Sequence, residues 1–372
     1  MSIAMTRAAR AALFTLLIAT PALAQPPSRI VSPEVRPDGR VTFRLRASNA
    51  QEVQLTGEFL QRPTPLAKSA DGVWSVTVGP VAPEVYHYVF TIDGVQTIDP
   101  ANPQLKVGST ASTIASVLEI RHASPAFYDA QPVPHGEIRT HWYHSKSLGS
   151  ERRLTVYTPP GYDAGQRSRR YPVVYLLHGA NADENAWYRL GRANLILDNL
   201  LAAGRITPFI AVMPFGYGVP PGGPQADNTA QFRRDLLDDV IPFIDGTYRT
   251  LANRGSRAIV GLSMGGGQAL NIGLNNIDRF SYVGGFSAAV GNASSFPATF
   301  AGLTGKAGEV NGRLKLLWIG CGADDSLFGA SKGLSEWLTA NGITHTFRET
   351  DGAHTWMVWR RYLLEISPLL FK

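Results

Sequence analysis

Gly261-Leu262-Ser263-Met264-Gly265 is the stretch on which the reading of this chain turns. It follows the short apolar run Ala258-Ile259-Val260 and leads into residues 265–274, which have helical character. A serine between two glycines at this spacing fits a sharp strand-to-helix turn, a nucleophile elbow. The glycines are needed because a Cβ at either flank collides with neighbouring backbone. The Ser263 hydroxyl then projects above the sheet. The first amides of the helix lie where an oxyanion develops.

Outward from this turn the pattern is strand alternating with helix. Residues 154–157, 173–177, 209–213, 258–260, 282–286, 314–319 and 345–348 read as strands. The run 173–177 is continuously apolar, as central strands buried on both faces are. Residues 195–201, 232–244, 265–274, 331–340 and 357–365 read as helices from their apolar spacing. This alternation predicts a mostly parallel sheet with helices on both faces, in an α/β-hydrolase arrangement.

Serine needs a histidine base and a carboxylate to orient it, and in this fold the chain order is Ser, acid, His. Only His345 and His354 follow Ser263. His345 falls within an alternating strand. His354 falls in the loop Asp351-Gly352-Ala353-His354, at the carboxyl edge of the sheet, and is the better base. The acid belongs after the 314–319 strand, where Asp324 and Asp325 compete and local pattern does not choose. Asp351 is too close in sequence to His354 to orient it easily. The second oxyanion donor belongs after an early strand, and Leu176-Leu177-His178-Gly179-Ala180 fits. The amides of Ala180 and Met264 are the expected oxyanion pair, with His178 in a structural hydrogen bond. Glu184 and Trp187, in the stretch that overhangs the site, are the expected substrate contacts. His141-Trp142-Tyr143-His144 resembles a metal pair, but positions three apart on a strand face opposite sides. No metal or cofactor is expected.

The N-terminal third reads differently. Residues 41–46, 74–78 and 86–92 alternate with period two, and turns such as Asp93-Gly94 separate them. Residues 25–121 are therefore expected to form a small immunoglobulin-like β-sandwich. Residues 122–135, rich in Pro, Ala and His, read as a linker, and 136–372 as the α/β domain. Trp74, Tyr86 and Tyr88 read as sandwich core and edge in preference to a sugar-stacking platform. Residues 1–24 read as an export signal: Arg7 and Arg10, an apolar core at 11–19, and Ala22-Leu23-Ala24 as cleavage site. That core is far shorter than the roughly 20 residues of a membrane span. A periplasmic or secreted location is expected.

Of 372 residues, 44% are hydrophobic and 17% charged, which is globular composition. Without Arg7 and Arg10 the 35 basic residues fall to 33 against 29 acidic, so net charge falls from +6 to +4. The basic residues are scattered, which argues against nucleic-acid binding. Cys321 is the only cysteine, so no intrachain disulfide forms and the core must supply stability.

Taken together, Leu176 to Gly179, Glu184, Trp187, Gly261 to Gly266, Gly322 to Leu327 and Gly352 to Trp359 resemble the esterase-D-like carbohydrate esterases, feruloyl esterases most of all. The family pattern Gly-x-x-Asp-Ser-Leu aligns with Gly322 to Leu327, so the resemblance selects Asp325. Asn181 to Glu184 depart from the glycine pair usual in its oxyanion loop. Gly72-Val73-Trp74, Tyr86-x-Tyr88-x-Phe90, Asp93-Gly94 and Asp99-Pro100-x-Asn102 resemble the β-sandwich carbohydrate-binding module of glycogen-branching enzymes. The resemblance implies a Ser263–His354–Asp325 triad that cleaves hydroxycinnamoyl or acetyl esters on plant polysaccharide, with the N-terminal module as a carbohydrate contact or a structural partner. A siderophore trilactone esterase, an acyltransferase on the same fold, and a non-catalytic carbohydrate-binding protein are the rival expectations.

Overall fold

The computed structural model describes residues 29–108, 113–165, 168–220 and 226–372. The export-signal reading of 1–24 lies outside the described residues. Among these residues three sheets form. A four-stranded sheet centred on Val41–Arg46 and Val73–Val78 packs on a six-stranded one centred on Val53–Gly57, Glu84–Ile92 and Ala115–Ile120. Alternating residues of both sheets (Phe43, Leu55, Trp74, Tyr88, Phe90, Leu118) fill one core between them.

The third sheet has eight strands, in spatial order Glu137–Ser145, Ser150–Thr158, Ile210–Pro214, Val173–Leu177, Arg257–Leu262, Tyr282–Phe286, Leu316–Gly322 and Thr346–Thr350. The first two junctions are antiparallel and the rest parallel. Every residue of the 173–177, 210–214, 257–262 and 282–286 strands is buried, because apolar layers cover both faces. Parallel pairing brings the carboxyl ends of these strands to one rim, which is where loops can meet.

Two expectations change. The single helix expected at 232–244 is three segments: Asn228–Arg234, a wider π-helical turn Asp235–Val240, and Ile241–Thr247. Pro242 has no N–H to donate back and its ring crowds the preceding turn, so a regular ladder cannot pass through it. The 122–135 stretch has no regular element, yet it is fastened down. Tyr128 is buried, and Asn199 donates to the carbonyls of Phe127 and Asp129 at 3.0 and 2.9 Å. Arg192 joins Asp129 to Glu119 with contacts of 3.0 and 2.8 Å. Buried Arg360 reaches across to Glu84 at 2.7 Å and lies over the Tyr128 ring. These bonds fix the sandwich against the α/β part.

Candidate active site

The Arg257–Leu262 strand runs directly into the Ser263–Leu274 helix. Ser263 sits at the junction with φ +53°, a left-handed backbone that strains a side chain and lifts its Oγ off the sheet. Small neighbours make the turn possible. A Cβ on Gly265 falls 2.3 Å from the His178 carbonyl oxygen, and one on Gly261 falls 2.2 Å from that of Gly265. Gly179 lets the next loop pass the nucleophile: its Cβ falls 2.7 Å from Leu262 Cδ1 and 3.1 Å from Ser263 Cβ.

Ser263 Oγ lies 2.9 Å from His354 Nε2. His354 Nδ1 lies 3.0 and 2.9 Å from the two oxygens of Asp325. The loops that carry the acid and the histidine are locked backbone to backbone. Ala323 and Asp324 amides donate to Thr350 and Gly352 carbonyls, and Gly322 has no room for a Cβ beside Gly352. Burial pushes the Asp325 carboxyl up, but His354, the Leu327 amide and Ser287 bond its charged form and hold it below the usual aspartate range. It is thus an anion at neutral pH, fit to accept from the imidazole Nδ1–H. Trp359 packs edge-on against the His354 ring at 4.9 Å and donates to Ser287 Oγ at 3.0 Å.

The rival groups lie elsewhere. Asp324 is exposed, and Asp351 pairs with Arg361 at 2.9 Å. His345 bonds Ser335 Oγ and the Ile343 carbonyl. His178 is buried. Its Nδ1 donates to the Gly179 carbonyl at 2.8 Å and its Nε2 accepts from the Gly216 amide at 2.8 Å. Both contacts suit the neutral ring, and burial pushes its pKa down to about 4. Cys321 is also buried, with its thiol pushed up to about 11 by that burial. His141 bonds Tyr248 and His144 bonds Glu151, on opposite faces of their strand.

Ser263 and His354 open into a cavity of about 370 Å³. Gly179, Ala180 and Asn181 form its near lip. The Asn181 amide donates to Tyr217 Oη at 2.7 Å, which pins this loop. Met264 is in the first turn of its helix, where the amide has no intrahelical acceptor. A larger cleft of about 630 Å³ lies between 119–130 and 188–195 and contains none of the reactive groups. It is the seam between the two parts, with its Arg192 already paired to Glu119 and Asp129.

Two expected substrate contacts are corrected. Trp187 is buried in the core, donates to the Leu177 carbonyl at 2.9 Å and packs edge-on against Trp356. Trp356, the ring against which Trp187 packs, lines the cavity instead. Glu184 is buried too and pairs with Arg153 at 3.0 Å, away from the cavity. A polar loop residue is easily mistaken for a surface one when its ion-pair partner is on a distant strand. Sequence reasoning also missed Ser287, whose only signal is its place just past the 282–286 strand at the active rim. It missed the far wall of the cavity altogether: Glu58, Val89, Lys106 and Ile114 come from the sandwich.

The Esterase family pattern matches residues 145–370, more than half of the chain. The chain belongs to the Esterase family. By that membership it is a carboxylic ester hydrolase. Residues 31–103 of this esterase match carbohydrate-binding module 48, the isoamylase N-terminal domain. The chain is 33% identical to an endo-1,4-beta-xylanase/feruloyl esterase of Xylanibacter ruminicola over 348 residues, 91% of this chain and 46% of that protein. It is 32% identical to an esterase of Mycobacterium tuberculosis over 151 residues, 38% of this chain and 30% of that one. The esterase thus spans less than half the length of these curated relatives. A ferulic acid esterase of Anaeromyces mucronatus, solved with ferulic acid, superposes with TM-score 0.56 at 26% identity, over 68% of this chain and 98% of its own. The enterobactin esterase of Shigella flexneri shares the fold, with TM-score 0.68 at 21% identity over 90% of this chain and 94% of its own. In the sandwich, Trp74 and Tyr86 bond the carbonyls of Ala47 and Ala82, and Tyr88 bonds Asp99. All three are buried and form no exposed stacking platform.

Proposed function

We propose that this chain is an exported serine esterase that removes hydroxycinnamoyl or acetyl groups from plant cell-wall polysaccharide. The observation that carries the chemistry is the unbroken relay from Ser263 Oγ through His354 to Asp325. Ser263 attacks the ester carbonyl while His354 Nε2 takes its proton. Asp325 holds the ring and stabilises the cation that forms. The Ala180 and Met264 amides receive the oxyanion; each such donor is typically worth about 3 kcal/mol of barrier. His354 then protonates the leaving alcohol, and water resolves the acyl-enzyme by the same route. No cofactor enters these steps.

The substrate class is supported by the Xylanibacter relative and by the ferulic acid bound in the Anaeromyces neighbour. The matched carbohydrate-binding module supports a polysaccharide as the partner that presents the ester. Export rests on residues 1–24, with their basic start, short apolar run and Ala22-Leu23-Ala24. A trilactone siderophore is the second reading, favoured by the fold shared with the enterobactin esterase over 90% of this chain and 94% of that one.

The test is turnover of methyl ferulate, p-nitrophenyl acetate, acetylated xylan and a catecholate trilactone by the purified chain. Hydroxycinnamoyl or acetyl-xylan esters are expected to be preferred, with Ser263→Ala inactive on all four. Full activity of Ser263→Ala in a clean preparation, or preference for the trilactone, overturns the reading.

A further inference from the structure

We infer that Lys106, with Glu58 beside it, is the specificity-determining end of the ester cavity and selects acyl groups that carry a distal hydroxyl. The inference rests on the reading of Ser263 as the esterase nucleophile.

The cavity has two unlike walls. Near the nucleophile, Leu190, Leu262 and Trp356 are apolar. The sandwich contributes apolar Ile114 together with the charged Glu58 and Lys106. This wall is held in place by the Arg360–Glu84 pair and by the fastened 122–135 stretch.

The two charged groups are in different states. Glu58 is engaged: it accepts the His87 amide at 2.8 Å and faces His87 Nδ1 at 3.2 Å. Burial pushes its pKa up, but the bonds to His87 and the nearby charges of His87 and Lys106 hold it below the usual glutamate range. It therefore remains an acceptor at neutral pH. Lys106 is half-buried on the short Leu105–Lys106 strand, which pairs with Ala115 and Ser116. Among the described residues its ammonium makes no hydrogen bond and no ion pair within 4 Å, and feels Glu58 only through space. An ammonium carries three donors and no acceptor. One with those donors uncommitted, on the wall of a reactive cavity, suits a ligand oxygen.

The kinds of group that line the cavity specify the ligand. Its ester carbon lies at Ser263 and its flat apolar body between Trp356 and Ile114. A hydroxyl at the far end then accepts from Lys106 and donates to Glu58. A hydroxyaryl acyl group has these parts; an acetyl group has no distal hydroxyl to offer.

The experiment compares kcat/KM for methyl 4-hydroxycinnamate and methyl cinnamate in the full chain, Lys106→Met and Lys106→Arg. The wild type is expected to favour the hydroxylated ester. That preference is expected to fall about tenfold in Lys106→Met, chiefly through KM, as loss of one charge-assisted hydrogen bond implies. Lys106→Arg is expected to retain part of it. Thermal melts check that each variant folds, and Lys106→Gln replaces the Met variant if that one does not. An unchanged preference in a folded neutral variant overturns the inference, as does an effect confined to esters of sugar alcohols. Turnover of p-nitrophenyl acetate by the wild type separates the two failures. If it proceeds while preference is unchanged, only the role of Lys106 falls; if it is absent, the reading of Ser263 falls as well.

Discussion

Asp99 in the sandwich and Asp325 at the rim of the large sheet are both buried, and both accept several hydrogen bonds. Asp99 takes them from Ser32 at 2.5 Å, Tyr88 at 2.8 Å and the Ala101 amide at 2.9 Å. Burial raises its pKa, and these neutral donors do not restore it. Asp325 takes its bonds from the Leu327 amide and from His354, and its pKa is lowered. The Asp99 network closes on itself within the core. The Asp325 network continues through a one-third-exposed histidine to a hydroxyl that faces an open cavity. Burial of an acid therefore does not mark a site. A polar chain that ends at an accessible, strained residue does.

Substitutions can break this contrast. Asp325→Asn leaves the shape but loses the charge and the tautomer control, so kcat is expected to fall about 10⁴-fold while the melting temperature shifts little. A fall of less than tenfold removes Asp325 from the relay. Trp187→Ala is expected to act through the core, costing about 3–5 kcal/mol in denaturant unfolding. If it instead raises KM with stability intact, the side chain meets substrate after all.

Acid titration sharpens the comparison further. His178, like Asp99, belongs to a closed network, and its folded pKa of about 4 lies below the usual value of 6.5. Its folded form binds fewer protons than the unfolded chain between those values. Stability is then fully present above about pH 6.5 and is lost as pH falls toward 4, by up to about 3 kcal/mol. His178→Asn is expected to flatten unfolding free energy against pH in that window. Asp325, with its lowered pKa, also gives up stability on acidification, whereas Asp99, with a raised one, loses it as pH rises. Smallest is Tyr88→Phe, which removes one hydroxyl from the Asp99 network. It is expected to cost about 1–2 kcal/mol of stability, with kcat for p-nitrophenyl acetate unchanged.

What was legible in the sequence follows the range of the forces involved. The strand series and the elbow are local: period, apolar runs and glycine positions declare them, and the 173–177 and 282–286 strands have those bounds in the structure. His354 was legible by chain order and loop position. The choice of Asp325 over Asp324 was legible only through the family motif at Gly322 to Leu327 and not from local pattern, because it depends on which carboxylate turns inward to His354 and Ser287. Trp187 and Glu184 misled for a related reason. Their loop is polar in sequence, but a buried carbonyl and Arg153 draw both side chains in. The sandwich wall of the cavity was illegible, since it exists only once Arg360 and Glu84 have joined two parts 276 residues apart.

The central claim is that His354 activates Ser263, and a fluorophosphonate probe tests it most directly. Mass mapping of the labelled chain is expected to find the adduct on the Ser263 peptide alone, with labelling at least 10³-fold slower in His354→Gln. Labelling at another residue, or equal rates in the two proteins, contradicts the account.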